Sequence, residues 1–366
     1  MPIPTLDSPV LFPDSVLTAA AHPDPYPYYA ALLAYRPIYR EHRLNLWIAL
    51  GARAVAEILG SEQCRVRPPA EPVPATIADA PAGTVFKHLV RMNDGPRHAK
   101  AKAAVGACLA AFDPARLTAI ARKDAARLAR DLIDDDPRGI DDFSFALPVQ
   151  AIAQMIGLPA EAAARCAAMM GDFVGCLSPL SGPAEIERSN QAAARLLAML
   201  RDELRRRDHG GPAMIAERMQ SLGIDELDAV VANLVGFMSQ TYEATAGLIG
   251  NTLVALARDA DLRGRAAGDD ALLARVIEEV ARHDPPVHNT RRFVAQDSIV
   301  AGQPMKQGDQ ILVVLAAANR DPAIHPRPHR FDPERPDRGS FTFGAGRHAC
   351  AGQAIATGIA VAGIQT

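Results

Sequence analysis

Residues 341–352 read FTFGAGRHACAG. No other stretch of the chain restricts the fold as tightly. A phosphate-binding loop would end in Gly-Lys-Ser or Gly-Lys-Thr, and that ending is absent. A redox pair would need Cys-x-x-Cys, and Cys350 has no partner at that spacing. A plain turn followed by a small buried cysteine remains open on these residues alone. The following residues, 351–364, predict a helix, so Cys350 stands at a helix start. Amide N–H groups there are unpaired and carry partial positive charge. Such a place favours thiolate. Gly344 and Gly346 allow close backbone approach or positive φ where a bulky group needs room. A thiolate among amide donors, with Phe343 as an apolar plate, suits an axial ligand to heme iron. Arg347 or His348 would then neutralise a heme propionate.

Composition agrees with a large globular protein. The 366 residues are 49% hydrophobic and 22% charged. That is ample material for a core. A net charge of -3 gives no electrostatic footprint for nucleic acid. The five cysteines are scattered and odd in number, which fits a reducing cytoplasm rather than a disulfide framework. The N-terminus MPIPTLDSPVLFPDS lacks the basic and apolar regions of a signal peptide. No apolar run is long enough to span a bilayer. The expectation is a cytoplasmic protein that engages no membrane.

Prolines crowd the first 75 residues. Residues 37–50 read as a strand or hairpin. From about 98 to 283 the pattern is helical and alanine-rich, with loops expected at 134–142, 178–183 and 207–213. A second β-like region covers 287–315, followed by a proline-rich irregular stretch at 319–338. No repeat or linker divides the chain. Residues 1–366 are expected to form one large domain, mainly α with small β-sheets.

Phe343-Gly344-Ala345-Gly346-Arg347-His348-Ala349-Cys350-Ala351-Gly352 closely resembles the cysteine-ligand loop of the cytochrome P450 superfamily, in the form found in its soluble bacterial branch. Other segments extend the resemblance. Glu279 and Arg282 lie three apart on one helix face, a spacing that a solvated surface pair would share. They resemble the family's Glu-x-x-Arg pair, with Arg335 as the third member of a Glu-Arg-Arg network below the heme. Asn319-Arg320-Asp321 resembles the turn before that network. His98, after Asp94-Gly95-Pro96, resembles the start of the propionate-binding helix, although alone it would pass for a surface histidine. Arg292 stands where the family's other propionate-binding arginine sits. Lys102, four residues after His98, replaces a common arginine and keeps the charge without the fork.

The resemblance implies the cytochrome P450 fold, with heme b (iron protoporphyrin IX) between a long distal helix and the Cys350 loop. Cys350 would bind iron. His98, Lys102, Arg292, Phe343 and His348 would hold the cofactor. It also implies a monooxygenase that draws two electrons from a ferredoxin and ferredoxin reductase, or an equivalent donor, and uses O2 on a small or medium apolar substrate. A secondary-metabolite substrate is the preferred expectation. Arg97, Lys100 and Lys102 would form a basic docking patch for the donor. Specificity positions are expected at about 64–92 and 165–185.

The distal helix departs from the pattern. Where the family usually has Ala-Gly-x-Asp/Glu-Thr-Thr, this chain has Gln240-Thr241-Tyr242-Glu243-Ala244-Thr245. Glu243 keeps the acid and is the expected link to solvent. The first threonine, which in the family helps deliver protons during oxygen activation, is Ala244. Thr245 could substitute, although one residue is ~100° around a helix. It could equally bond back to a carbonyl. Water, a substrate hydroxyl, or Gln240 and Thr241 are the other routes. The departure also motivates a non-hydroxylating enzyme (oxidative coupling, peroxide use or dehydration) as an alternative, with a non-catalytic heme sensor as the second. The chain as given ends sixteen residues after Cys350, where family members usually continue with strands that line the substrate pocket.

Overall fold

A computed structural model describes residues 12–132, 137–178, 181–206 and 212–366. Its N-terminal part alternates short elements: α1 (Tyr26–Tyr35), β1 (Ile38–Glu41), β2 (Leu46–Ala49), α2 (Ala52–Gly60) and β3 (Cys64–Arg65). The hairpin expected at 37–50 is β1–β2, paired antiparallel with Ile38 opposite Ala49. Helices then dominate: α3 (Pro81–His88), α4 (Gly95–Ala110), α5 (Pro114–Leu128), α6 (Pro137–Met155), α7 (Ala160–Val174), α8 (Pro183–Arg205), α9 (Pro212–Ser221), α10 (Leu227–Arg258), α11 (Ala260–Ala266) and α12 (Asp270–His283). The second β-like region resolves into β4 (Thr290–Val294), β5 (Ser298–Val300), β6 (Gln303–Met305) and β7 (Gln310–Val313). Two helices close the chain, α13 (Leu315–Ala318) and α14 (Gln353–Ile364).

Proline stands in the first turn of seven of these helices, α1, α3, α4, α5, α6, α8 and α9. The missing N–H costs nothing there, and the fixed φ suits a helix. The same effect corrects one loop boundary. Residues 137–142 were expected as loop because of their Asp, Pro and Gly content, yet α6 already starts at Pro137. Burial of Phe143 and Leu147 in the core pulls the helix start upstream. Residues 134–136, 179–180 and 207–211 of the expected loops lie outside the described residues. No single described helix is long and apolar enough to cross a membrane.

The main sheet has the order β1-β2-β7-β4-β3, and β5–β6 forms a separate hairpin. Only β2 and β7 run parallel, and 260 residues separate them in sequence, so the sheet joins the chain's two ends. The helical core is centred on α10, which packs against α3, α6, α12 and α14. At 32 residues, α10 is about 48 Å long. Every residue from Val230 to Ser239 is buried. An apolar surface on all sides is what a helix through the middle of a protein requires.

Candidate active site

The Cys350 loop is held in a tight coil by its own backbone. The Cys350 N–H donates to the Phe343 carbonyl at 2.7 Å, and the Gly344 N–H to the Phe341 carbonyl at 2.8 Å. Gly344 and Gly346 have φ of +69° and +62°, values that disfavour any side chain. A Cβ on Gly346 would also lie 3.1 Å from the Leu59 carbonyl at the end of α2. The Gly352 N–H donates to Cys350 Sγ at 3.3 Å. The thiol otherwise faces open space, unlike the other four cysteines, which are buried.

Below this loop lies a buried charge network. Glu279 and Arg282 are fully buried and Arg335 is 7% exposed. Arg282 donates to both Glu279 oxygens, at 2.9 and 2.7 Å. Arg335 Nε reaches the same carboxylate at 3.1 and 3.2 Å. The Asp332 N–H donates to it at 2.9 Å. A surface pair is therefore excluded. Arg282 continues to the carbonyls of Asn319 and Pro328. Asn319 then grips the loop: its Oδ1 accepts from the Phe341 N–H, and its Nδ2 donates to Thr342 at 2.8 Å. Thr342 in turn donates to the Ala281 carbonyl on α12. The network thus fixes the loop relative to α12.

Above the loop is a cavity of about 930 Å³, walled on one side by Phe343, Gly344, Cys350 and Ala351 and on the other by α10. His98, Lys102, Arg292 and His348 all line it. His98 is 3% exposed and stacks on His348 with ring centroids 4.1 Å apart. Burial, with the neighbouring His348 and Lys102 charges, pushes the His98 pKa down to about 4. His348 Nε2 lies 3.2 Å from Asp94. Burial works to raise the Asp94 carboxyl, but hydrogen bonds from His348 and the Val66 N–H outweigh it and hold the pKa below its ordinary value. Lys102 Nζ donates to the Ala349 carbonyl, so this side chain turns inward to the loop. That removes Lys102 from the expected exposed patch, where Arg97 and Lys100 remain exposed. Arg347 also leaves the cavity and reaches the Gly60 carbonyl and Glu62. Of the two candidates in the loop, His348 is the one inside.

Arg292 supplies the test of fit. Its Nη1 donates to Thr290 and to the Arg291 carbonyl, but its buried Nε has no partner. A buried unpaired donor is costly. Burial accordingly lowers the Arg292 pKa. A dianionic, flat, apolar group with a metal centre matches all of this: two carboxylates for Arg292, Lys102 and the histidines, and a thiol for the metal. Heme b fits the cavity's chemistry.

On α10, the cavity is lined by Phe237, Gln240, Thr241, Ala244, Thr245 and Leu248. Thr241 and Thr245 are buried, with their hydroxyl oxygens 2.9 Å apart. Residues four apart lie on one helix face. The expectation that Thr245 bonds back to a carbonyl therefore fails; Thr241 offers a nearer hydroxyl. Gln240 folds onto its own helix, with Nε2 donating to the Gly236 carbonyl at 3.0 Å. Glu243 is exposed and is not among the residues that line the cavity. Sequence reasoning missed the Asp94–His348 link and the inward position of Arg91, for which neither residue carried a local signal. Segments 64–92 and 165–185 both reach the cavity, through residues such as Arg67, Phe86 and Cys176.

Residues 268–359 match the Cytochrome P450 family profile. The chain is 25% identical over 343 residues to the biotin biosynthesis cytochrome P450 of Bacillus subtilis, covering 91% of this chain and 85% of that protein. It is 32% identical over 221 residues to the vitamin D(3) 25-hydroxylase of Pseudonocardia autotrophica, a match that spans 59% of this chain and only 53% of that protein. The crystal structure of CalO2 superimposes with a TM-score of 0.83 at 24% identity, covering 96% of this chain and 88% of that one. The fold is the cytochrome P450 fold, and the class of protein is a heme b-binding monooxygenase. The chain belongs to the cytochrome P450 superfamily, of the type found in its bacterial relatives.

Proposed function

We propose that this chain oxidises a small or medium, largely apolar molecule held above the heme, with electrons from a ferredoxin-type donor, and that it serves a biosynthetic pathway. One observation carries the reading: the thiol of Cys350 faces α10 across a cavity that also collects cations for two carboxylates. When bound, heme b supplies oxygen activation. The residues of the chain do the rest. Cys350 Sγ holds the metal, with the Gly352 N–H donating to the sulfur. Arg292, Lys102, His98 and His348 bind the propionates. Phe343 gives the group an apolar support.

Proton delivery is assigned to the Thr241–Thr245 hydroxyl pair. Each hydroxyl has one donor and two acceptor sites. Their mutual bond uses one donor, and no other side-chain hydrogen bond of either residue occurs among the described residues. One O–H is thus left free on the cavity wall. Whichever hydroxyl donates, the other can pass a proton on. Glu243 stands on the exposed side of the same turn, where it can exchange protons with solvent. Thr245→Val keeps the shape and removes the hydroxyl. It should lower the product formed per NAD(P)H consumed, because acid–base steps contribute ~10²–10⁴-fold. Ala244→Thr should bring no gain. A clear gain from Ala244→Thr with an unaffected Thr245→Val enzyme sinks the hydroxyl pair.

Arg97 and Lys100 are the remaining exposed cations for donor docking on α4. Lys100→Glu should slow first-electron transfer from an acidic ferredoxin, more so at low salt, with substrate affinity unchanged. Equal reduction rates place docking elsewhere. The reading as a whole is tested by turnover with NAD(P)H and surrogate redox partners. Incorporation of one oxygen atom from O2 into product supports it. Product lacking that oxygen favours the non-hydroxylating alternative, and absence of turnover favours a sensor.

A further inference from the structure

Arg91 is a cation that the heme cradle does not use. It follows α3, opens on the cavity wall, and has no hydrogen bond or ion pair among the described residues. Its side chain is exposed to the cavity, while the packed surroundings push its pKa below the ordinary arginine value. The ionisable groups whose field it feels are Glu243 on α10 and Cys176 beyond α7. The cradle cations feel others: Cys350 for Lys102, and Asp94 with Cys64 for Arg292. Arg91 therefore stands apart from the propionate cluster, on the α7–α10 side of the cavity.

Its position is built, not incidental. Asn233, buried on α10, accepts from the Val90 N–H at 3.1 Å and donates to the His88 carbonyl at 3.0 Å. Asn93 donates to the Leu89 carbonyl at 2.7 Å. These bonds fix the backbone on both sides of residue 91. Glu243, the nearest carboxylate by its field, makes no ion pair with it within 4.0 Å. An arginine exposed on the wall of a cavity that is otherwise largely apolar, without a partner among the described residues, keeps its donors open to a ligand. Guanidinium presents a planar fork of donors that matches a carboxylate two-to-two.

We infer that Arg91 is the anchor for a carboxylate on the substrate, so that this enzyme acts on a monocarboxylic acid with an apolar body. The carboxylate sits on Arg91 beside α10, and the apolar part extends over Phe237, Leu248 and Phe86 toward Cys350. This inference rests on the cavity being the substrate site, as proposed above.

The test uses heme-loaded protein, titrated with dodecanoate, methyl dodecanoate and dodecan-1-ol. Binding is read both by calorimetry and by the Soret shift. Dodecanoate should bind roughly 10- to 100-fold more tightly than the ester, the range that a charge-assisted hydrogen bond supports. Arg91→Gln should erase that preference while leaving ester affinity unchanged, and Arg91→Lys should keep part of it. Glu243→Gln should bind dodecanoate at least as tightly as wild type, since it removes the one nearby competing carboxylate. Equal affinity of wild type for acid and ester overturns the inference. So does an Arg91→Gln protein of normal heme content that still prefers the acid, or a matching loss in Arg91→Gln and Glu243→Gln, which would mark a structural pair. If the ester and alcohol perturb the Soret band and the acid does no better, the substrate cavity stands and Arg91 alone is wrong. If none of the three binds, both readings fall.

Discussion

The reduced protein treated with carbon monoxide is expected to absorb at the long-wavelength position of thiolate-ligated heme, and Cys350→Ala to abolish that band. Cys350 is the only described cysteine whose thiol is exposed, and it opens on the cavity. The other four are buried, and desolvation raises the thiol pKa of each, to about 12 for Cys166 and Cys176. None can supply a thiolate at neutral pH in its place. The substitution removes one hydrogen bond, from the Gly352 N–H, and leaves the backbone coil of the loop intact. The chain should therefore still fold. Loss of the band in a folded protein, seen by an unchanged far-ultraviolet spectrum, assigns the ligand. An unaltered band means that another group binds the iron.

Glu279→Ala should have the largest effect on stability. The Glu279 carboxylate accepts from Arg282, Arg335 and the Asp332 N–H, all in the interior. Its removal strands two buried guanidinium groups. Breaking a buried ion network from one side costs ~3–5 kcal/mol. A domain typically has only ~5–15 kcal/mol of stability in total. The damage should also travel, because Arg282 holds the Asn319 carbonyl and Asn319 holds Phe341 and Thr342. Heme content should fall along with the melting temperature. Glu279→Gln, which keeps two acceptor or donor positions but no charge, should fall between the two. A Glu279→Ala protein with full heme content and normal melting would mean that the loop does not depend on this carboxylate.

The Cys350 loop was legible because its chemistry is local. Two positive-φ glycines, a histidine and a cysteine lie within seven residues, and they point to one kind of coil. The hairpin at 37–50 and the long helical stretch were legible for the same reason, since periodicity is a property of neighbours. The Glu279–Arg282 pair was only half legible. Its spacing suits solvent as well as core, and Arg335 joins it from 56 residues away.

The remaining features needed the tertiary structure. Lys102 looked like part of an exposed basic patch, yet its side chain ends on the Ala349 carbonyl, 247 residues distant. Glu243 keeps the acid of the family pattern, and the rotation of α10 leaves it exposed while it sets Thr241 and Thr245 on the cavity wall. Arg91 carries no local pattern at all; it faces the cavity because Asn233, 143 residues after Val90, clamps the backbone beside it. The amino-acid sequence by itself determined the family, the candidate ligand loop around Cys350 and the helical character, all of which follow from residues close together in the chain. Only the packing of distant segments decided which charges are buried and which side chains face the cavity, because burial is set by what the rest of the chain brings alongside.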